Sequence, residues 1–372
     1  MKIYALLLSS ILLAQADPTK HPSLKEAAEG LFEIGVGLNV QAANDPAATE
    51  LLKHHFDYVT PENCMKPAAT QNENGLATFQ KADRFMNFAG RHQIKVVGHC
   101  LVWAKDDRTP TWFYEHKGAN APRPFLADRM KSHMGMVLGR YGHKIDQWDV
   151  VNEALGDGKD TWRQSRWHEI YEGPEFIVNA FKIARAADPS ALLIYNDYRC
   201  EYAAKQDNLY KLIEYLQARN TPIDAIGLQG HYELDGIPFK ELDATITKIK
   251  SYGLKVVISE VDIDVVKRGK WYQENGKHRE ELKNFDPYAE ACPPEILKAQ
   301  AEQYAQLFSI YAKHADAIER VSFWNLHDGQ SWLNYFPWNR TNHPLLFDRN
   351  LEPKPAFHSV IEVLKKQKRP GQ

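Results

Sequence analysis

The chain has 372 residues, 44% of them hydrophobic and 25% charged, and a formal net charge of -2. That length and apolar content are enough for one large core, and a near-neutral chain without a sustained basic stripe argues against nucleic acid or an anionic membrane as the main partner. A neutral substrate fits better, and the 9 tryptophans and 17 tyrosines supply flat faces that either fill a core or lie against sugar rings.

Met1 to Ala16 reads as an export leader, with Lys2 in a short basic start, an apolar run from Ala5 to Leu13, and Ala14-Gln15-Ala16 before Asp17. The expectation is a mature protein of residues 17 to 372, secreted or periplasmic. The leader is too short to span a bilayer, and no later stretch reaches the roughly 18 apolar residues that a spanning helix needs. No membrane is expected as a partner after cleavage. Four cysteines, Cys64, Cys100, Cys200 and Cys292, are scattered without the density of a disulfide scaffold. Their spacing leaves buried thiols and bridges equally open.

Strand-type runs follow at Ile34 to Val40, Phe56 to Thr60, Lys95 to Val102, Gln147 to Asn152, Ala191 to Tyr195, Ala225 to Gly230, Lys255 to Glu260 and Arg320 to Asn325. Between them, segments such as Phe79 to Arg91, Phe176 to Ala187, Leu209 to Arg219, Phe239 to Tyr252 and Pro294 to His314 repeat their apolar residues at helical spacing. Strict alternation predicts a parallel sheet covered by helices. Eight units favour a closed (β/α)8 TIM barrel in a single domain, because an open doubly wound sheet carries a glycine-rich phosphate turn after its first strand and Gly35-Val36-Gly37 has no such continuation. Two long connections, Ala104 to Pro124 and Val265 to Pro293, leave the third and seventh strands and are expected to wall a cleft. Lys267 to Asn284 reads most simply as a solvated loop, with Trp271 and Tyr272 as further candidate substrate contacts.

In a barrel of this kind, residues at the carboxyl ends of strands meet at one mouth. Trp148-Asp149-Val150-Val151-Asn152-Glu153 and Val256-Val257-Ile258-Ser259-Glu260-Val261-Asp262 each present a glutamate where an apolar run stops. Glycoside cleavage needs such a pair, one carboxyl protonated to serve the leaving oxygen and the other ionised. Asn152 is placed to donate to a sugar 2-hydroxyl. His231 and Asp262 are placed to hold Glu260 ionised, although a histidine taken alone is more often a hydrogen-bonded core residue. No metal-ligand spacing is present, the first strand offers only Asn39 and Gln41, and no cofactor is expected.

At this point the residues resemble glycoside hydrolase family 10, the retaining endo-β-1,4-xylanases. The resemblance runs from about Gly35 to Val363. It is carried by Thr60-Pro61-Glu62-Asn63-Cys64-Met65-Lys66, Gly98-His99-Cys100-Leu101-Val102-Trp103, the segment ending in Asn152-Glu153, Asn196-Asp197-Tyr198, Gly227-Leu228-Gln229-Gly230-His231, Ser259-Glu260-Val261-Asp262 and Trp324 through Trp332. The resemblance implies Glu153 as acid/base and Glu260 as nucleophile, with carboxyls about 5 to 5.5 Å apart. It also implies Glu62, Asn63, Lys66, His99, Trp103, Asp106, Tyr198, Gln229, Trp324 and Trp332 as substrate contacts, and xylan or xylo-oligosaccharides as the partner of a monomer. Three positions depart from the family pattern. Pro67 stands where a tryptophan is usual, Ala104 and Asp106 replace a histidine and a sugar-binding glutamine, and Asn325 stands where a glycine is usual. Competing expectations are a β-1,4-glucanase of the same barrel type, a non-catalytic glycan-binding barrel and a metal-dependent barrel hydrolase.

Overall fold

The computed structural model describes residues 20–39, 45–268, 282 and 284–367. Its main sheet holds β1 (Glu33–Leu38), β2 (Tyr58–Pro61), β3 (Lys95–Trp103), β4 (Gln147–Asn152), β5 (Leu192–Asp197), β6 (Ala225–Leu228), β7 (Lys255–Asp264) and β8 (Ile318–Phe323). All neighbours are parallel and follow chain order, and β8 pairs back onto β1 through Glu33↔Arg320 to Val36↔Phe323. The ring is closed, as a (β/α)8 barrel requires. The short strand His231–Glu233 lies outside the ring, paired with Asp262, Ile263 and Asp264 at the end of β7.

Each strand is followed by a helix: α1 (Pro46–His55), α2 (Gln80–Arg91), α3 (Arg123–Tyr141), α4 (Glu175–Ala187), α5 (Ala203–Gln217), α6 (Phe239–Ser251), α7 (Pro294–Lys313) and α8 (Pro355–Gln367). With helices outside and side chains inside, the strands are buried on both faces, which is why β4 and β7 read as continuous rather than alternating runs. Helix starts follow ordinary rules. The Asp45 carboxylate accepts from Ala47 N at 2.9 Å and Ala48 N at 3.3 Å, and Pro46 occupies the first helical turn, where its missing N–H costs nothing.

Several boundaries differ from the sequence expectation for physical reasons. Helix α5 begins at Ala203 rather than Leu209, because its first turn carries Lys205, a buried lysine whose Nζ donates to Asp197 Oδ1 at 2.9 Å. That buried cation interrupts the apolar periodicity. Strand β7 runs on to Asp264 because the His231–Glu233 strand supplies hydrogen-bond partners for its polar end. Strand β2 starts at Tyr58, since Phe56 closes α1 by donating its N–H to Leu52 O. Strand β8 stops at Phe323, two residues before Asn325 turns to φ +92°.

The connection after β3 contains the turns Asp106–Arg108 and Thr111–Phe113 and a small hairpin, Glu115–His116 with Ala119–Asn120, before α3 begins at Arg123. All four cysteines are free thiols; Cys64, Cys100 and Cys200 are buried and Cys292 is half-buried. Among the described residues no helix is long and apolar enough to cross a membrane. The expected leader, Val40, Gln41, Trp271 and Tyr272 lie outside the described residues.

Gly98 on β3 stands opposite Trp148 on β4, whose indole is buried against it. A Cβ at position 98 would sit 2.0 Å from Trp148 Cε3, so one of the two strands would have to move. Gly98→Ala is therefore expected to destabilise the barrel by about 1–3 kcal/mol, the usual cost of overpacking. Chemical denaturation checks this, and an unchanged midpoint would mean that Trp148 repacks freely.

Candidate active site

Glu153 follows the last residue of β4, and its backbone sits at φ +56°, a left-handed turn that is costly for a residue with a Cβ. Two bonds hold that turn. Glu153 N donates to Asn196 O at 2.9 Å, and Arg163 Nε donates to Glu153 O at 2.7 Å. The turn points the carboxyl away from the strand. Its Oε1 accepts from Gln229 Nε2 at 3.2 Å, while Arg163 Nη2 lies 3.8 Å from Oε2. Burial raises the Glu153 pKa and the charge of Asp197 adds to it; Arg163 and the Gln229 donor only partly offset the rise. The carboxyl therefore favours its protonated form more than an ordinary glutamate.

Glu260 on β7 has the opposite balance. Its Oε1 accepts from Asn196 Nδ2 at 2.8 Å and its Oε2 lies 3.2 Å from His231 Nε2, while His231 Nδ1 lies 3.0 Å from Asp262 Oδ1. Trp332 Nε1 donates to the other Asp262 oxygen at 2.7 Å. For His231, burial opposes the charge, yet Asp262 and Glu260 outweigh it and lift the imidazole to about 10. At neutral pH the ring is an imidazolium that donates to both carboxylates. Burial pulls Glu260 upward, but His231, the more distant His99 and the Asn196 donor win, and its pKa is lowered. Two glutamates are thus driven apart in acidity by what surrounds them.

Asn152 stands between them. Its Oδ1 faces Asn196 Nδ2 at 3.1 Å and Gln229 Nε2 at 3.4 Å. The turned amide would instead donate to Asn196 O at 3.1 Å and accept from Trp103 Nε1 at 3.3 Å. Oxygen belongs toward Asn196 and Gln229, because both of those nitrogens already act as donors to the two glutamates.

The β2, β3 and β8 ends form an adjoining wall. Lys66 Nζ donates to Asn63 Oδ1 at 3.1 Å and lies 4.7 Å from the Trp103 ring centre. Glu62 accepts from Asn325 Nδ2 at 3.3 Å, and burial raises its pKa against the opposing charge of Lys66. His99 Nδ1 is 2.7 Å from Asp149 Oδ2, and its ring meets Trp324 edge-on at 5.6 Å. Trp324 in turn lies over Gly37, where a Cβ would come within 2.8 Å of the indole. Tyr198 receives a hydrogen bond from Arg163 Nη2 at 2.7 Å and donates to Asp157. Asp106 opens the turn after β3. It is exposed, and its Oδ1 accepts from Arg166 N at 2.8 Å, tying two loops together. Among the described residues no group of three or more His, Cys, Asp or Glu is arranged to hold a metal ion.

The family model for glycosyl hydrolase family 10 matches residues 23–363. The chain belongs to glycosyl hydrolase family 10. It is similar to an endo-1,4-beta-xylanase of Geobacillus stearothermophilus, 38% identical over 92% of this chain and 98% of that protein. It is also similar to endo-1,4-beta-xylanase A of a Caldicellulosiruptor species, 35% identical over 92% of this chain, which spans 47% of that longer relative. Among solved structures, a family 10 endoxylanase from a sugarcane soil metagenome superposes with a TM-score of 0.84 at 34% identity, covering 93% of this chain and 100% of that one.

In this family 10 chain, sequence reasoning missed two groups that the fold brings to the glutamates. Asn196 was noticed only as part of a strand-end motif, yet its amide bridges Glu260 and Asn152 and its oxygen accepts from Ser259 Oγ at 2.6 Å. Arg163 carried no signal in the sequence. It arrives because the segment after Glu153 folds back on itself, with Gly156 N donating to Thr161 O and Arg163 N to Ala154 O.

Removing that guanidinium takes away the positive charge that opposes Asp197 and Glu260 at the Glu153 carboxyl and leaves the Gln229 donor to offset them. Arg163→Gln is therefore expected to raise the Glu153 pKa further, read by the pH titration of its carboxyl carbon resonance; an unchanged midpoint would mean that solvent already screens the charge. His231 makes a second pH prediction. Its folded pKa lies above the ordinary 6.5, so its stabilising contribution is complete below that value and is lost as pH rises through about 10. The thermal midpoint of the natural protein should fall more between pH 7 and 10 than that of His231→Gln, and parallel curves would rule the imidazolium out.

Proposed function

We propose that this chain is an endo-1,4-β-xylanase that cleaves internal bonds of xylan with retention, Glu153 acting as acid/base and Glu260 as nucleophile. The observation that carries the reading is the unequal charging of the two carboxyls. Glu260 is held ionised by an imidazolium, and Glu153 is biased toward its protonated form by burial and nearby negative charge. A retaining enzyme needs that division.

In the first step Glu260 attacks the anomeric carbon while Glu153 gives its proton to the departing oxygen. A covalent glycosyl-enzyme forms. Esterification removes the Glu260 charge and so lowers the Glu153 pKa, and the carboxylate left by that proton transfer stays ionised. It then accepts a proton from the attacking water, and the sugar leaves with its original configuration.

The remaining residues position the chain. Asn152 donates to the sugar 2-hydroxyl, an interaction that strengthens as the ring gains oxocarbenium character. Glu62, Asn63, Lys66, His99 and Gln229 exchange hydrogen bonds with sugar hydroxyls, while Trp103, Trp324 and Trp332 present flat faces. Crowding by these rings favours xylose, which lacks the hydroxymethyl group of glucose. Tyr198 is a further substrate contact, and Asp106, whose Oδ1 is engaged by Arg166 N, accepts from a sugar hydroxyl through its other oxygen. The leader-like run from Met1 to Ala16 supports a site of action outside the cytoplasm, and we propose that the enzyme works there as a monomer on polymeric substrate. Names of the relatives, endo-1,4-beta-xylanases in both cases, support the same substrate.

The test is sugar release from xylan and carboxymethyl cellulose by the natural protein, Glu260→Ala and Glu153→Ala. Release from xylan alone is expected, and Glu260→Ala should abolish it. Glu153→Ala should lose about 10²–10⁴-fold on xylan and much less on an aryl xylobioside whose leaving group needs no proton. Equal cleavage of cellulose would make the enzyme a glucanase, and residual turnover in Glu260→Ala would assign the nucleophile elsewhere.

A further inference from the structure

Asn325 lies two residues beyond β8 with its backbone at φ +92°, a conformation that glycine adopts freely and a residue with a Cβ does not. Its side chain is buried, with 1% of the residue exposed. Nδ2 donates to Glu62 Oε2 at 3.3 Å, and Oδ1 accepts from Trp332 N at 3.1 Å. One amide thus joins two loops that the sequence separates widely. On one side is Glu62, which also faces Lys66 and Asn63 and feels the charge of Glu260. On the other is the segment whose Trp332 indole donates to Asp262, the carboxylate that backs His231 and Glu260.

We propose that Asn325 is a positioning residue that fixes the Glu62 carboxylate for the sugar hydroxyls bound ahead of the cleaved bond, and so sets affinity for the non-reducing portion of the chain. The inference rests on the xylanase reading given above and deepens it. Glu62 can accept through two oxygens but cannot choose its own rotamer. With one oxygen held by Asn325, the other stays aimed in a fixed direction, and the ordering cost is met before substrate arrives. The interaction is made to substrate and transition state alike, so it acts on KM rather than on kcat. The strained backbone fits this role, because glycine would adopt the turn without strain, and the side chain present instead makes two bonds, one to Glu62 and one to Trp332 N.

That same strain makes the test clean. Asn325→Gly keeps a backbone that glycine accepts, so the variant should fold with a thermal midpoint close to the natural one. Its KM for xylotriose should rise about five- to tenfold, the loss of one hydrogen bond to a charged group, with kcat within about twofold. Asn325→Asp, which turns a donor into a second carboxylate against Glu62, should raise KM at least as far. Independently of turnover, the Glu62 carboxyl carbon should titrate at higher pH in Asn325→Gly, because the ionised form loses a donor. A Glu62 titration that does not move, or a KM unchanged in both variants, overturns the proposal. A natural protein that leaves xylan intact would instead sink the xylanase reading, and the Glu62 titration would still decide whether Asn325 holds that carboxylate.

Discussion

The bonds between the first and last strands are the constraint on which everything else depends. Pairing of Gly35 with Ser322 and Val36 with Phe323 closes the ring, and a closed parallel ring delivers the carboxyl end of every strand to one rim. Glu153 on β4 and Glu260 on β7 are 107 positions apart in the numbering (260 − 153). Within the closed ring they are linked through neighbours: Asn196 from β5 donates to Glu260, Gln229 just beyond β6 donates to Glu153, and both donate to Asn152.

Charge is then distributed by burial and by partners rather than by residue type. One glutamate sits against an imidazolium clamped by Asp262; the other sits near Asp197 and Glu260 with a guanidinium at 3.8 Å as its opposing charge. The same side chain thus acquires two acidities within one cleft. The barrel interior below the site is polar as well: Arg320, fully buried, donates to Gln147 at 2.9 Å and to Ser322, beneath the His99–Asp149 pair.

Much of the architecture was legible in the chain because parallel barrel strands, buried on both faces, form unbroken apolar runs that stand out between amphipathic helices. Polar continuations were not legible. The last three residues of β7 belong to a strand only because His231 to Glu233 pairs with them, and the first turn of α5 belongs to a helix although it buries Lys205. The glutamates, His231 and Asp262 were readable from their places at strand ends, and the tryptophans from the resemblance to the family's motifs. Arg163 was not, since it reaches the site through a loop whose path local pattern does not encode, and Asn325 stood out only as a departure from the family pattern, with no sign of its bonds to Glu62 and Trp332. Asp106 shows the converse, a position singled out by its motif whose carboxylate is engaged by Arg166 on another loop.

What this sequence determined by itself was the alternation of elements, hence the barrel, and the identity of the two carboxylates at its mouth, because apolar period and the point where an apolar run stops are local properties of a chain. Only the tertiary structure decided which carboxyl is ionised, which donors aim at it and how the walls of the cleft are tied. Those depend on distances between residues that are remote in the chain, and electrostatic and hydrogen-bond energies change steeply over the few ångströms that folding alone sets.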